Sequence, residues 1–290
     1  INNEGVNQFF KLILPAILAG GIIQINLLVD TIFASLLETG SPTWLYVSDR
    51  LIQFPMGIFA IAVGTILLPT LSKFDLSYEK DKFISSIQKG QRFVLFIGIP
   101  SLIGLFFCAE DLISTIFYRG AFTESDVINS SYSLMAFSIG LPFFMLMKVL
   151  TPAFFARKDT KTPMYVAFAS LILNAFLNYY LAFVLDYGHV GIAIGSSIAA
   201  FISVCVLEIV LHRNGFIEFK SIFNKFNLNI LVSNIFLIIF LYFYTSQIDF
   251  MKLNQIERFF NLLFEVTASV IIYFSISRLI LKKPLRLLFD

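Results

Sequence analysis

Six ionisable side chains fall inside long apolar runs, where each needs a partner or water: Asp30, Asp49, Arg50, Lys148, Glu208 and Glu265. A charge near the centre of a bilayer costs about 3 kcal/mol or more, so such residues mark pathways, binding sites or internal ion pairs. Arg50 follows Asp49 in SDRLIQFPMGIFAIAVGTILLPTLS. A guanidinium can hold a phosphate by two parallel hydrogen bonds; the plainer alternative is an internal ion pair with a carboxylate such as Asp49. Lys148 stands near enough to an apolar boundary either to snorkel or to meet an anionic ligand. Glu208, close to His212 and Arg213, and Glu265, two turns from Arg258, read as carboxylates reaching the interface.

A second set is polar and shares one depth. Asp30 lies in the outer part of the first apolar run. Asn174 and Asn178 are spaced i,i+4, which puts both on one helix face. Ser196 falls at the same level of the sixth run. One carboxylate with amide and hydroxyl oxygens suits a hard cation, and sodium is the candidate ion. The alternative is a hydrogen-bonded packing cluster between helices. Cys108 and Cys205 both sit in apolar runs and read as small buried hydrophobes. No catalytic metal, nucleophile–base or phosphate-loop pattern is present, so an enzyme is not expected.

The elements that must position these groups are membrane helices. Of 290 residues, 58% are hydrophobic and 14% charged, with a mean hydropathy of +0.83. Soluble domains run at about 45–50% apolar and about 25% charged. A transmembrane helix needs about 20 apolar residues to cross roughly 30 Å of hydrocarbon. Eight such windows occur, at 12–36, 47–72, 93–115, 131–155, 163–185, 190–211, 226–245 and 259–281. The expected fold is therefore an all-α integral membrane protein. Its divisions are a lead-in (1–11), a six-helix lobe (12–211), a connection (212–225), two further helices (226–281) and a tail (282–290). With the start taken as cytoplasmic, sixteen of the 21 Lys and Arg residues flank the inner side and three the outer, which predicts both ends in the cytoplasm. The connection 74–92 reads either as a surface amphipathic helix or as a solvated loop. Trp44, Tyr46, Tyr179 and Tyr180 read as headgroup-level anchors. A net charge of +2 points to no nucleic-acid partner. The chain opens at Ile1 without an initiator Met or signal-peptide pattern, and reads as a fragment with an upstream part missing.

The stretch Leu14–Ser72, with PAILAGGIIQINLLVDTIFAS and SPTWLYVSDRLIQFPMGIFAIAVGTILLPTLSK, resembles the MurJ/MviN family of lipid II flippases. KVLTPAFFARKDTKTP, from Lys148 to Pro163, is a second match. The resemblance covers nearly the whole chain, the last two helices by hydropathy alone. It implies the second lobe plus two C-terminal helices of a fourteen-helix exporter of the multidrug and polysaccharide superfamily. It further implies translocation of the undecaprenyl-diphosphate-linked peptidoglycan precursor, lipid II, across the bacterial inner membrane by alternating access. Arg50 then matches a cavity arginine that binds the diphosphate, with Asp49 and Lys148 beside it. Asp30, Asn174, Asn178 and Ser196 match a sodium site, and 226–281 a groove for the polyprenyl tail. The remaining cavity arginines belong to the absent first lobe, the expected partner alongside membrane lipids. The rivals are an exporter of another lipid-linked saccharide or a drug, and a polyprenyl-phosphate-dependent membrane enzyme.

Overall fold

Backbone polar groups in hydrocarbon have no water to bond, so long apolar runs resolve into helices that satisfy their own N–H and C=O groups. The computed structural model describes residues 4–217 and 225–281. Among these residues there is no strand. The helices are α1 (Glu4–Ser35), α2 (Ser41–Pro55), α3 (Ile61–Ser72), α4 (Lys80–Phe107), α5 (Ala109–Phe117) and α6 (Glu124–Ala156). They continue with α7 (Lys161–Tyr179), α8 (Gly188–Arg213), α9 (Lys225–Thr245) and α10 (Gln255–Leu281). Among the described residues eight stretches are long and apolar enough to cross a membrane, α2 and α3 forming one of them (Ser41–Ser72). The predicted tail, 282–290, lies outside the described residues, as do 218–224 of the predicted connection and 1–3 of the lead-in.

Two local deformations interrupt the helices, the first of them at a proline. Pro55 has no N–H to donate back to the preceding turn, and its ring crowds the carbonyl four residues earlier. The chain absorbs this in a π-helical turn, Met56–Ala60, between α2 and α3. A second π turn, Tyr180–Val184, closes α7. Gly191 of α8 packs against it so closely that a Cβ there would stand 2.7 Å from the Leu181 carbonyl carbon.

The core is organised on α6, which packs against α2, α3, α4, α5 and α8. Leu134, Leu141, Met145, Val149 and Phe154 are fully buried along it. Small residues let α8 approach: a Cβ on Gly140 would lie 2.9 Å from the Cα of Ser197. Helix α1 rests on α7 at one side of this core. At the other, α9 and α10 pair with each other and dock on α4. Phe96 packs there against Phe226 and Tyr273, and the Tyr273 hydroxyl donates to the Phe96 carbonyl at 2.7 Å.

Several expectations need correction. Segment 74–92 is neither a surface helix nor a loop throughout, because α4 begins at Lys80 and carries Phe83 and Ile87 fully buried into the core. The third apolar window is not one helix: it breaks at Cys108, and α5 starts afresh at Ala109. Trp44 is no headgroup anchor. It is buried, and its indole N–H donates to Asp126 Oδ1 at 2.7 Å. Tyr46, Tyr179 and Tyr180 are exposed.

Candidate functional site: an acid–amide cluster and an arginine beside one cavity

A cavity of about 680 Å³ opens between α1, α2, α6, α7 and α8. Asp30, Asp49, Gln53, Lys148 and Ser196 contribute to its wall, amid a largely apolar lining that includes Phe137 and Phe144. Five elements distant in sequence thus supply one chamber.

Deep in this region the four predicted polar residues meet. Asp30 Oδ1 accepts from the Asn174 amide at 2.7 Å and from the Asn178 amide at 2.6 Å. The Ser196 hydroxyl lies 3.2 Å from Asp30 Oδ2 and 3.3 Å from Asn174 Oδ1. Asn174 and Asn178 are wholly buried between α1 and α8. The approach of α8 depends on Gly195, where a Cβ would stand 2.7 Å from Asn178 Oδ1. Asn26 belongs to the same cluster, its Oδ1 accepting from Asn174 at 3.0 Å. It precedes Asp30 by four residues, so the one-face rule that linked Asn174 to Asn178 would also have found it. The amide nitrogens, not the oxygens, face Asp30, which is the arrangement of a hydrogen-bonded packing cluster. Asn178 Oδ1 is buried without a partner and remains a free acceptor.

The cluster's chemistry fits a hard monovalent cation. Asp30, Asn26, Asn174, Asn178 and Ser196 provide oxygens from three helices with a single formal charge among them, the donor type such ions take. A half-turn of either amide would exchange an N–H₂ for an oxygen at the carboxylate.

Arg50 does not itself line the cavity: it stands on the exposed face of α2 next to Tyr46, Asp49 and Gln53, which do, its guanidinium 4.6 Å from the centre of the Tyr46 ring. One terminal nitrogen reaches Gln53 Oε1 at 3.3 Å, and the Gln53 amide donates in turn to Asp49. Neither ion pair among the described residues involves Arg50. The Asp49–Arg50 salt link that the sequence left open does not form. Adjacent residues on a helix point about 100° apart, and Gln53 bridges the gap. Gln53 lies i+4 from Asp49 and i+3 from Arg50, a signal available in SDRLIQFP.

Lys148 faces the same cavity from α6. The two other intramembrane acids go elsewhere. Glu208 accepts from Gln91 of α4 at 2.9 Å. Glu265 does not reach an interface: it is fully buried. Arg258, the cation expected to draw it outward, instead donates to the Phe250 carbonyl at 2.8 Å and the Met251 carbonyl at 3.0 Å. In the KDTKTP segment, Lys158 adopts a left-handed conformation (φ 60°) and Asp159 accepts both the N–H and the hydroxyl of Thr162. That motif caps the start of α7.

Comparison with known proteins agrees with this architecture. The profile described as "Lipid II flippase MurJ" matches residues 1–274. A probable lipid II flippase MurJ of Vibrio cholerae is 44% identical over 213 residues, covering 73% of this chain and 40% of the relative. The corresponding Haemophilus influenzae protein is 34% identical over 278 residues, 93% of this chain and 54% of its own length. A solved lipid II flippase MurJ in an inward closed conformation superposes with a TM-score of 0.75 at 28% identity, over 97% of this chain and 56% of that one. An outward-facing multidrug transporter of the MATE family shares the fold at a TM-score of 0.65 and 15% identity. This chain therefore spans about half the length of the curated relatives it matches. By the extent of these matches it belongs to the lipid II flippase MurJ family.

Proposed function

We propose that this chain is the second-lobe portion of a transporter that moves lipid II across the bacterial inner membrane, with both described ends on the cytoplasmic side. The observation that carries the reading is the Arg50 guanidinium, exposed against the cavity-lining Tyr46 and Gln53 and free of any carboxylate partner among the described residues. Its planar fork can take a diphosphate oxygen pair in a bidentate grip. Tyr46 and Gln53 fix its direction from one side, and Lys148 adds a second cation across the cavity. Asp49, held by Gln53, repels a phosphate that slips too deep.

In this reading the headgroup travels through the aqueous chamber while the polyprenyl tail stays in the bilayer. The exposed apolar side chains of α9 and α10, among them Leu231, Phe243, Phe260 and Phe264, offer that tail a greasy surface. The first six helices of the full-length protein close the other half of the chamber. Sodium at Asp30, Asn26, Asn174, Asn178 and Ser196 would link α1 to α7 and α8, giving the cycle an ion-dependent step. Membrane potential can supply the reset, since one charge moved through about 100 mV is worth roughly 2.3 kcal/mol.

The test is Arg50→Ala in the full-length protein, assayed by complementation of a flippase-depleted strain with membrane abundance measured in parallel. Loss of complementation at normal abundance is expected. Full complementation would overturn the role given to Arg50.

A further inference from the structure

Outside the cavity, one pair of acids is used by nothing described so far. Glu265 of α10 is fully buried, and neither of its carboxylate oxygens accepts a hydrogen bond. It lies beside the carboxyl of Asp111 on α5 and the thiol of Cys108 at the α4–α5 break. Asp111 is itself only 6% exposed, and its Oδ2 has no partner.

Every charged or titratable neighbour among the described residues can be accounted for. Arg258, the buried cation of α10, spends its guanidinium on the carbonyls of Phe250, Met251 and Ser114 and over the Tyr118 ring. Lys252 pairs with Asp249 at 2.7 Å. Glu110, Asp249, Tyr244 and Cys108 supply no positive charge, and the Tyr244 hydroxyl is engaged with Asn261. Two carboxylates buried together with no counter-ion among the described residues cannot both stay ionised, because each would lose its water and face a like charge.

We propose that Asp111 and Glu265 form a buried proton-binding site that joins α10 to α5. One proton, taken from water through the slightly exposed Asp111, converts one carboxylate to a carboxyl whose O–H donates to the other. The bridge gives a donor to one of the oxygens that otherwise have none. Loss of the proton leaves two uncompensated anions at the α5–α10 contact and pushes the C-terminal helix pair away from the lobe. Burial together with the Glu265 charge raises the affinity of Asp111 for that proton. The inference is independent of the transport reading and of the Asp30 cluster, which lies across the molecule on α1, α7 and α8.

The experiment is infrared spectroscopy of the full-length protein in lipid nanodiscs, following the C=O stretch of protonated carboxyl groups through a pH titration. A band persisting at neutral pH is expected. Glu265→Gln and Asp111→Asn should each shift its loss to lower pH, because the like charge has gone while the remaining acid stays buried. If the Glu265→Gln protein cannot be recovered, the Asp111→Asn shift decides. Absence of the band from the unmodified protein at neutral pH would overturn the proposal. So would a band that titrates identically in the variants, or one that sodium displaces at fixed pH.

Discussion

The backbone carbonyl of Lys148 on α6 lies 2.8 Å from the point where a Cβ on Gly64 of α3 would stand. Only a glycine permits this crossing, which seats α3 against the backbone of α6 at the residue whose side chain lines the cavity. Of the small residues after Arg50, Ala60 and Gly64 make this contact face, while Gly57 and Ala62 point outward. Gly64→Ala must therefore move backbone, and a destabilisation of about 1–3 kcal/mol is expected from overpacking. Thermal unfolding of the purified full-length protein measures it. An Ala62→Gly control should show no comparable overpacking penalty.

Asp30 is the one carboxylate in the acid–amide cluster. Asp30→Asn keeps the shape but removes the charge that a bound sodium ion would need. The expected outcome is loss of any sodium-specific rise in melting temperature, measured against potassium at equal ionic strength. Asn178→Ala should weaken that rise without abolishing it, since Asn26, Asn174 and Ser196 remain.

Trp44 ties α2 to the start of α6 through its bond to Asp126, a side chain that also closes a capping box with Thr123. Trp44→Phe keeps most of the apolar surface and removes one N–H donor to a carboxylate. A loss of about 1.5–3 kcal/mol follows from the usual worth of a charge-assisted bond. Chemical or thermal unfolding reads the value, and Asp126→Asn in the same background should add only what its capping contact with Thr123 contributes.

The stability of the α5–α10 contact should depend on pH with a definite sign. Asp111 is raised above the ordinary carboxylate range by burial and by the adjacent Glu265. A raised acid binds its proton more tightly in the folded state, so stability is highest at low pH and falls as pH climbs from that range through the raised value. Asp111→Asn should flatten the dependence. Melting temperature against pH for the two proteins checks it.

The amino-acid sequence alone determined eight apolar stretches, their helical state, and the depth at which Asp30, Asn174, Asn178 and Ser196 sit. Length and hydropathy decide those, because lipid admits only helices and closed barrels, and these runs are too long and too evenly apolar for barrel strands. Pro55 fixes a point where helical hydrogen bonding must loosen, but only the structure shows that the chain answers with a π turn. What sequence could not decide is the rotation of each helix about its own axis, since that depends on which neighbours surround it. Rotation turned Arg50 away from Asp49 and brought Gln53 between them. It drew Trp44 and Glu265 inward, against the expectation that amphipathic or charged tips seek the interface. Asn26 shows the boundary between the two: its face was legible from spacing, but its bond to Asn174 exists only because α1 packs on α7.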